Sequence, residues 1–372
     1  MKVLVDGRAF VKTSAGISTF LQGSLDAWAE QCPLDTFYLA LPQAPDKTLA
    51  GLRFPSNVTW VVSDNLFFKK LPNLVWLLIM MPVLCIRYQA DVYFSPLPCI
   101  PYFLKKRVKK VIVVHDVVTI EFKETMAWEN KLASWLFFNR SIRKADLIWT
   151  NSNYTKACVE KYFPVRKSQE IVVGCAVNRR IYHRFDVTDD MRETIAGKYG
   201  ISGRFLLFVG SLEPRKNLRF LVSLMPEIWE KSRIPLVVVG AKGWKETGIS
   251  QIINDPHFPK ASVVFCGYVS NQDLAVLYNM AVCFVSASMN EGFGMPQLEA
   301  FLCGCPVITA DNSAMSEVAK GKSGSLLIAG YAPHEWIEGI TKFVGHHDAV
   351  NGHEFDQYDW HRIVKDFRRY IV

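Results

Sequence analysis

Glu291-Gly-Phe-Gly-Met-Pro-Gln-Leu-Glu299 is the stretch from which the fold is read. Two carboxylates with seven residues between them bracket a glycine-rich turn that ends in a proline. Ahead of it, Ala281-Val-Cys-Phe-Val-Ser-Ala-Ser288 reads as a buried strand, and Pro306-Val-Ile-Thr-Ala310 reads as the next one. The segment is therefore a strand, a loop and a short helix, with the loop at a strand's carboxyl end, where open α/β sheets bind ligands. Gly292 and Gly294 permit close backbone approach and positive φ, and Pro296 suits a first helical turn. Amides around Gly294 and Met295 beside a helix N-terminus make an anion site. Glu299, about one turn into the helix, points back toward the same mouth. Such a mouth takes an anion on amides and hydroxyls on carboxylates, and a sugar nucleotide presents both.

Outward from this loop, strands and helices alternate through two halves, which predicts α/β architecture with parallel sheets. In the first half the pattern predicts strands at Lys2–Val5, Thr36–Leu41, Val58–Val62, Asp91–Ser95, Val111–Val114 and Leu147–Thr150, with helices at Ile17–Glu30 and Glu129–Lys144. In the second it predicts strands at Phe205–Val209, Leu236–Val239, Ser262–Phe265, Val282–Ser286 and Val307–Thr309, with helices at Leu218–Lys231 and Asp273–Met280. Gly174 to about Gly203, charged and short of apolar periodicity, reads as a linker, and Trp360–Val372 as a last amphipathic helix.

The 372 residues suit two domains. Half of them are hydrophobic and 21% charged, as in a globular chain. A net charge of +8 suits an anionic ligand or an anionic membrane surface. It is too diffuse for nucleic acid, and no zinc-finger or RNA-binding motif accompanies it. Nine scattered cysteines without C-x-x-C read as buried free thiols in a reducing cytoplasm; Cys303-Gly-Cys305 lacks partner ligands for a metal. The start Met1-Lys-Val-Leu-Val-Asp6 reads as a strand rather than a signal peptide. Leu74–Ile86 is the most apolar run, too short to span a bilayer. It reads either as a core helix or as one that dips into a membrane face, alongside Phe67-Phe-Lys-Lys70 and the basic run Lys105–Lys110, itself either a solvated loop or a lipid contact.

Gly210-Ser-Leu-Glu-Pro-Arg-Lys-Asn217 follows the strand Phe205–Val209, with Asn217 placed to cap the next helix. Arg215 and Lys216 at that lip either neutralise a diphosphate leaving group or belong to a solvated loop. Taken with Glu-Gly-Phe-Gly-Met-Pro-x-x-Glu-Ala from Glu291 and with Cys303-Gly-Cys-Pro-Val-Ile308, this motif resembles the retaining glycosyltransferases of family 4. The resemblance spans essentially the whole chain and is strongest from Phe205 to Ser325. It implies the GT-B fold: two Rossmann-like domains facing across a cleft, with a C-terminal helix crossing back to the first. The expected division is residues 1–185 on the acceptor side, 186–355 on the nucleotide-sugar donor side, and 356–372 as the returning helix.

By that resemblance, Lys216 and Arg215 bind the donor diphosphate with the backbone of Gly294 and Met295. Glu299 holds the ribose, and Val269, within Gly267-Tyr-Val269, lines the base. Glu291, Phe293 and Gly294 contact the transferred sugar. Thr13-Ser-Ala-Gly-Ile-Ser18 loosely matches the family's N-terminal glycine loop, where Gly16 either admits the donor phosphate or is an ordinary helix-start glycine. His115-Asp116 resembles the family's active-site pair: His115 contacts the donor sugar and Asp116 orients it or fixes its tautomer; otherwise His115 is a strand-end histidine bonded to a carbonyl. Ser270-Asn-Gln-Asp273 has capping-box spacing and reads as structural. Ser211 replaces a basic residue that many family members carry, so the charge burden falls on Arg215 and Lys216.

No Asp-x-Asp occurs, and the cationic pair takes the place of a divalent metal, so metal-independent transfer without a cofactor is expected. The resemblance implies a retaining hexosyltransferase, and the apolar Leu74–Ile86 run with the basic Lys105–Lys110 cluster suggests a lipid-linked acceptor, as in bacterial surface polysaccharide assembly. Its acceptor would be a saccharide linked to polyprenyl diphosphate, and its location the cytoplasm or the inner face of the cytoplasmic membrane. Neither donor base nor sugar is legible: GDP-mannose, UDP-hexoses and dTDP-rhamnose all fit. A sugar-nucleotide epimerase on the same fold and a catalytically idle GT-B protein are the rivals.

Overall fold

A computed structural model describes residues 1–11, 15–45, 52–63, 73–117, 137–168, 171–201, 203–240, 247–346 and 348–371. The expected motif residues Thr13, Ser14 and Phe67–Lys70, and the first part of the helix expected at Glu129–Lys144, lie outside them. The chain forms two compact units, one of residues 1–177 with 357–372 and one of 178–356. The division near residue 178 has a physical cause. The segment just after it bonds within the second unit: Arg179 to Asp356 (3.1 Å), Tyr182 Oη to Asn271 (3.4 Å) and the Phe185 amide to Asn279 (3.0 Å).

In the first unit the strands are β1 (Lys2–Asp6), β2 (Thr36–Leu41), β3 (Val58–Val62), β4 (Val92–Ser95), β5 (Lys109–Val114), β6 (Leu147–Thr150) and β7 (Ile171–Val173), and the helices α1 (Ala15–Gln31), α2 (Asn73–Arg87), α3 (Asn139–Lys144) and α4 (Asn153–Tyr162). Among the described residues the sheet runs β3-β2-β1-β4-β5-β6-β7, and every pair is parallel. The near-continuous apolar strands fit a parallel sheet covered on both faces. The second unit has β8 (Leu206–Val209), β9 (Leu236–Val239), β10 (Val263–Gly267), β11 (Cys283–Ser286), β12 (Val307–Ala310) and β13 (Ser325–Ile328), in the all-parallel order β10-β9-β8-β11-β12-β13. Its helices are α5 (Asp189–Tyr199), α6 (Leu218–Ser232), α7 (Thr247–Ile253), α8 (Asn271–Met280), α9 (Met295–Leu302), α10 (Ser313–Ala319) and α11 (Pro333–Gly345). Both sheets thus start in the middle and reverse direction, at β1/β4 and at β8/β11. These switch points are where a doubly wound sheet opens a crevice.

Two strands and a helix were not legible. β7 and β13 are short edge strands without alternation. α5 lies inside the expected linker because it buries only Ile195, so it has no apolar stripe; Thr188, which accepts from the Met191 amide, and Gly200 in the left-handed region mark its ends. All nine cysteines are unpaired, and all but Cys266 are buried.

The last helix, α12 (Trp360–Arg368), belongs to the first unit and packs on α1. Gly23 makes this possible: a Cβ there would lie 2.2 Å from Trp360 Nε1. Phe367 then enters an aromatic cluster, with ring centroids 4.4 Å from Trp149 and 5.0 Å from Trp28. Phe367 is fully buried, so Phe367→Ala is expected to destabilise the first unit by about 3–5 kcal/mol through lost transfer energy and a residual cavity. Denaturant unfolding followed by near-UV circular dichroism would measure it; an unchanged midpoint would show that α12 adds nothing to this core.

Candidate active site

The second unit's switch point carries the charged cluster. After β8 the chain makes a 3₁₀ turn, Pro214–Lys216. Asn217 follows in the left-handed region (φ 54°) with no side-chain cap on α6, so the expected capping bond is not made. Asparagine tolerates that conformation better than most residues, and the kink it supplies turns Arg215 and Lys216 toward the loop after β11. There the Met289 amide donates to the Arg215 carbonyl (2.9 Å), tying the two loops together. Arg215 Nη1 donates to the Asn290 carbonyl (2.6 Å) and to Glu291 Oε2 (3.0 Å), and Lys216 Nζ pairs with Glu291 Oε1. Glu291 is buried. Burial pushes its carboxyl up, but Lys216 and Arg215 outweigh that and hold it below the usual carboxylate range. It is ionised at neutral pH.

The loop backbone is anchored from β12: the Glu291 amide donates to Ser313 Oγ (3.1 Å), and Asn312 donates to the Ser288 carbonyl (3.1 Å). Gly294 occupies the N-cap of α9 at φ 85°. An L side chain would be strained there, and the turn brings Met295 and Pro296 into the first helical positions. Helix N-terminal amides lack intrahelical partners and complement an anion. Lys216, Glu291, Gly294, Gln297 and Met315 line a small pocket with Ser286. Phe293 is buried behind the loop, and Met295 is half-buried at the helix start.

Glu299 is the fifth residue of α9 and has a different environment. It is buried, and Tyr278 Oη on α8 donates to its Oε2 (3.0 Å). Burial without a cation raises its pKa to about 7, with the Tyr278 bond opposing the rise. Val269 is buried between β10 and α8, behind the exposed Tyr268. Ser270 caps α8 by accepting from the Asp273 amide (3.2 Å), while the Asp273 carboxylate bonds Tyr199 (2.6 Å) and Lys198.

In the first unit His115 follows β5 and Gly16 is the second residue of α1. A carbonyl only accepts, so the contact of His115 Nε2 with the Pro96 carbonyl (2.8 Å) puts the proton on Nε2. Nδ1 then accepts from the Asn151 side-chain amide (2.9 Å). Burial holds the imidazole below its usual value. Its tautomer is thus set by Pro96 and Asn151 rather than, as the sequence suggested, by Asp116, which acts on the ring through its charge. At this unit's own switch point, Arg8 clamps Asp6 (2.9 and 2.8 Å) and Ser95 Oγ donates to Asp6 (3.1 Å).

The structure therefore joins Arg215, Lys216, Glu291 and Gly294 in one cluster and gives Glu299 and His115 separate partners. Tyr278, Ser313, Asn312 and Asn151 were not found from sequence. Asn312 and Ser313 follow a strand's carboxyl end and were discoverable by that rule; Tyr278 and Asn151 are unremarkable until the packing is known. Among the described residues, no group of three or more His, Cys, Asp or Glu could hold a metal ion, and no helix is long and apolar enough to cross a membrane.

Residues 191–369 match the model of the family described as glycosyl transferases group 1. A curated relative, O-antigen chain mannosyltransferase B of Escherichia coli, is 27% identical over 235 residues, which cover 62% of this chain and 60% of that protein. The match thus spans less than two thirds of the relative's length. Among solved structures, sucrose-phosphate synthase from Thermosynechococcus elongatus superposes with a TM-score of 0.72 at 16% identity, covering 100% of this chain and 93% of that one. HepE from Anabaena, in complex with UDP-glucose, gives 0.70 at 16% identity, covering 99% and 98%. The fold is GT-B, with two Rossmann-like domains.

Proposed function

We propose that the chain is a retaining, metal-independent glycosyltransferase of family 4, transferring a hexose from a nucleotide diphosphate sugar to a saccharide hydroxyl. The observation that carries this reading is the pair Arg215 and Lys216 meeting Glu291 at the β8/β11 switch point. A departing diphosphate gains negative charge in the transition state. Two fixed cations, with the amides of Gly294 and Met295, would stabilise it without a metal. Incoming phosphates would compete for the two cations, freeing the Glu291 carboxylate to accept hydroxyl bonds from the sugar, beside Phe293 and Gly294. Glu299 would hold the ribose, and Val269 would line the base. His115 would contact the sugar only once its Nε2–H leaves the Pro96 carbonyl, with Asp116 biasing the ring through its charge. The similarity to an O-antigen chain mannosyltransferase favours a mannosyl donor and a role in polysaccharide assembly. We take the acceptor to be a saccharide chain on polyprenyl diphosphate, met at the inner face of the cytoplasmic membrane.

A thermal-shift comparison of GDP-mannose with UDP-, dTDP- and ADP-hexoses tests the reading. Ligand at about a hundred times Kd adds roughly 2.7 kcal/mol of stability, a rise of about 5–10 °C for domains of this size. GDP-mannose is expected to give the largest rise. No rise with any nucleotide sugar would overturn the reading, and loss of transfer on chelation with rescue by manganese would overturn metal independence.

A further inference from the structure

We propose that one face of the first unit, formed by α2 and the loop 102–107, docks on an anionic lipid surface. Residues 74–86 of α2 contain no charged side chain. One side of the helix is spent on the core, where Trp76, Leu77, Met81, Leu84 and Cys85 are buried. The other side should be polar if it faced only water. Instead it presents Ile79, Val83 and Ile86, 48%, 50% and 51% exposed, at i, i+4 and i+7, with Arg87 at the end. Three β-branched aliphatics in one stripe form a continuous apolar ridge rather than scattered surface residues.

The loop after β4 packs on the same core as α2 through Leu104, whose neighbour Phe103 is 83% exposed. The loop ends at Lys109, which pairs in register with Val92, the first residue of the strand that α2 feeds. The loop's basic end and the C-terminus of α2 therefore share the amino-terminal edge of the sheet. Lys105, Lys106 and Arg107 are exposed and enter no ion pair among the described residues, whereas Lys110 is paired with Asp146 and Lys109 bonds the Tyr370 carbonyl. Apolar side chains beside unpaired cations match the chemistry of a bilayer interface with anionic headgroups. A second copy of this chain would meet the same three cations and repel. The proposed function rests on a lipid-linked acceptor, and this surface would deliver the chain to it; the docking itself does not depend on transfer.

Sedimentation of the full chain with phosphatidylcholine vesicles, with and without phosphatidylglycerol, tests this. Binding is expected only with the anionic lipid, and it should weaken with salt. Lys105→Glu with Lys106→Glu and Arg107→Glu is expected to weaken binding about a hundred-fold, and Ile79→Ser with Val83→Ser and Ile86→Ser at least ten-fold, neither changing the thermal shift given by the donor sugar. Equal binding by wild type and both triple variants, or no pelleting with anionic vesicles, would overturn the proposal. So would a light-scattering dimer that the serine variant dissociates. Pelleting without any donor-induced shift would leave the docking standing and count against the proposed function alone.

Discussion

Lys216→Ala is expected to lower kcat/KM for the sugar donor by about a hundred- to a thousand-fold, the range found when one preorganised charge donor is removed from a transition-state site. The loss should fall on kcat as well as on donor affinity, because the diphosphate carries more charge leaving than bound. The substitution also leaves the buried Glu291 with one cation instead of two, which costs folding stability as well. Lys216→Arg keeps the charge and separates the two effects: it should restore stability more fully than turnover, since a planar fork cannot reproduce a compact ammonium. Steady-state kinetics at limiting donor, with a thermal melt of each variant, checks both. Full turnover by Lys216→Ala would remove the lysine from the diphosphate site.

Donor affinity is expected to rise with pH up to about 7 and then level off, because Glu299 must ionise to accept ribose hydroxyls. Burial raises its pKa from 4.5 to about 7. The folded protein therefore holds this proton more tightly than the unfolded chain does. The stability that comes from holding it is fully present below pH 4.5 and is lost as the pH climbs through about 7. The shift corresponds to roughly 3 kcal/mol at neutral pH and above. Glu299→Gln should accordingly make the ligand-free protein more stable at pH 8, bind donor about ten- to a hundred-fold more weakly, and lose the pH dependence. Isothermal titration of GDP-mannose from pH 5.5 to 8.5 would show this. A Gln variant with wild-type affinity and the same pH profile would place the ribose elsewhere.

The two glutamates show what each level of organisation contributes. The loop Glu291–Glu299 was legible as a strand-end turn running into a helix because glycine and proline act locally, over a single turn of chain. Parallel-sheet architecture was legible for a similar reason: fully apolar strands such as Val111–Val114 and Leu236–Val239 alternate with amphipathic helices. What each carboxylate does electrostatically was not legible. Glu291 and Glu299 are the same residue type eight positions apart, yet one is held low by two cations that lie far away in sequence and the other is pushed to about 7 by burial beside Tyr278.

Asn217 makes the same point in reverse. Its place before α6 suggested a side-chain cap, but the chain uses its tolerance of left-handed backbone to aim Arg215 and Lys216. The apolar run of α2 could not be resolved as core or surface from composition, since both sides are greasy; only packing decided that Trp76 and Leu77 are inside while Ile79, Val83 and Ile86 face out. The order and type of most elements, and the residues placed at strand ends, follow from local sequence, since backbone propensity and apolar periodicity are properties of neighbours in the chain. Tertiary structure alone decided which charges meet, which nitrogen of His115 carries the proton, and which carboxylate of the opening loop is ionised. Those depend on distances and desolvation that exist only once the strands lie side by side, β8 with β11 for the charges on Glu291 and β4, β5 and β6 for His115.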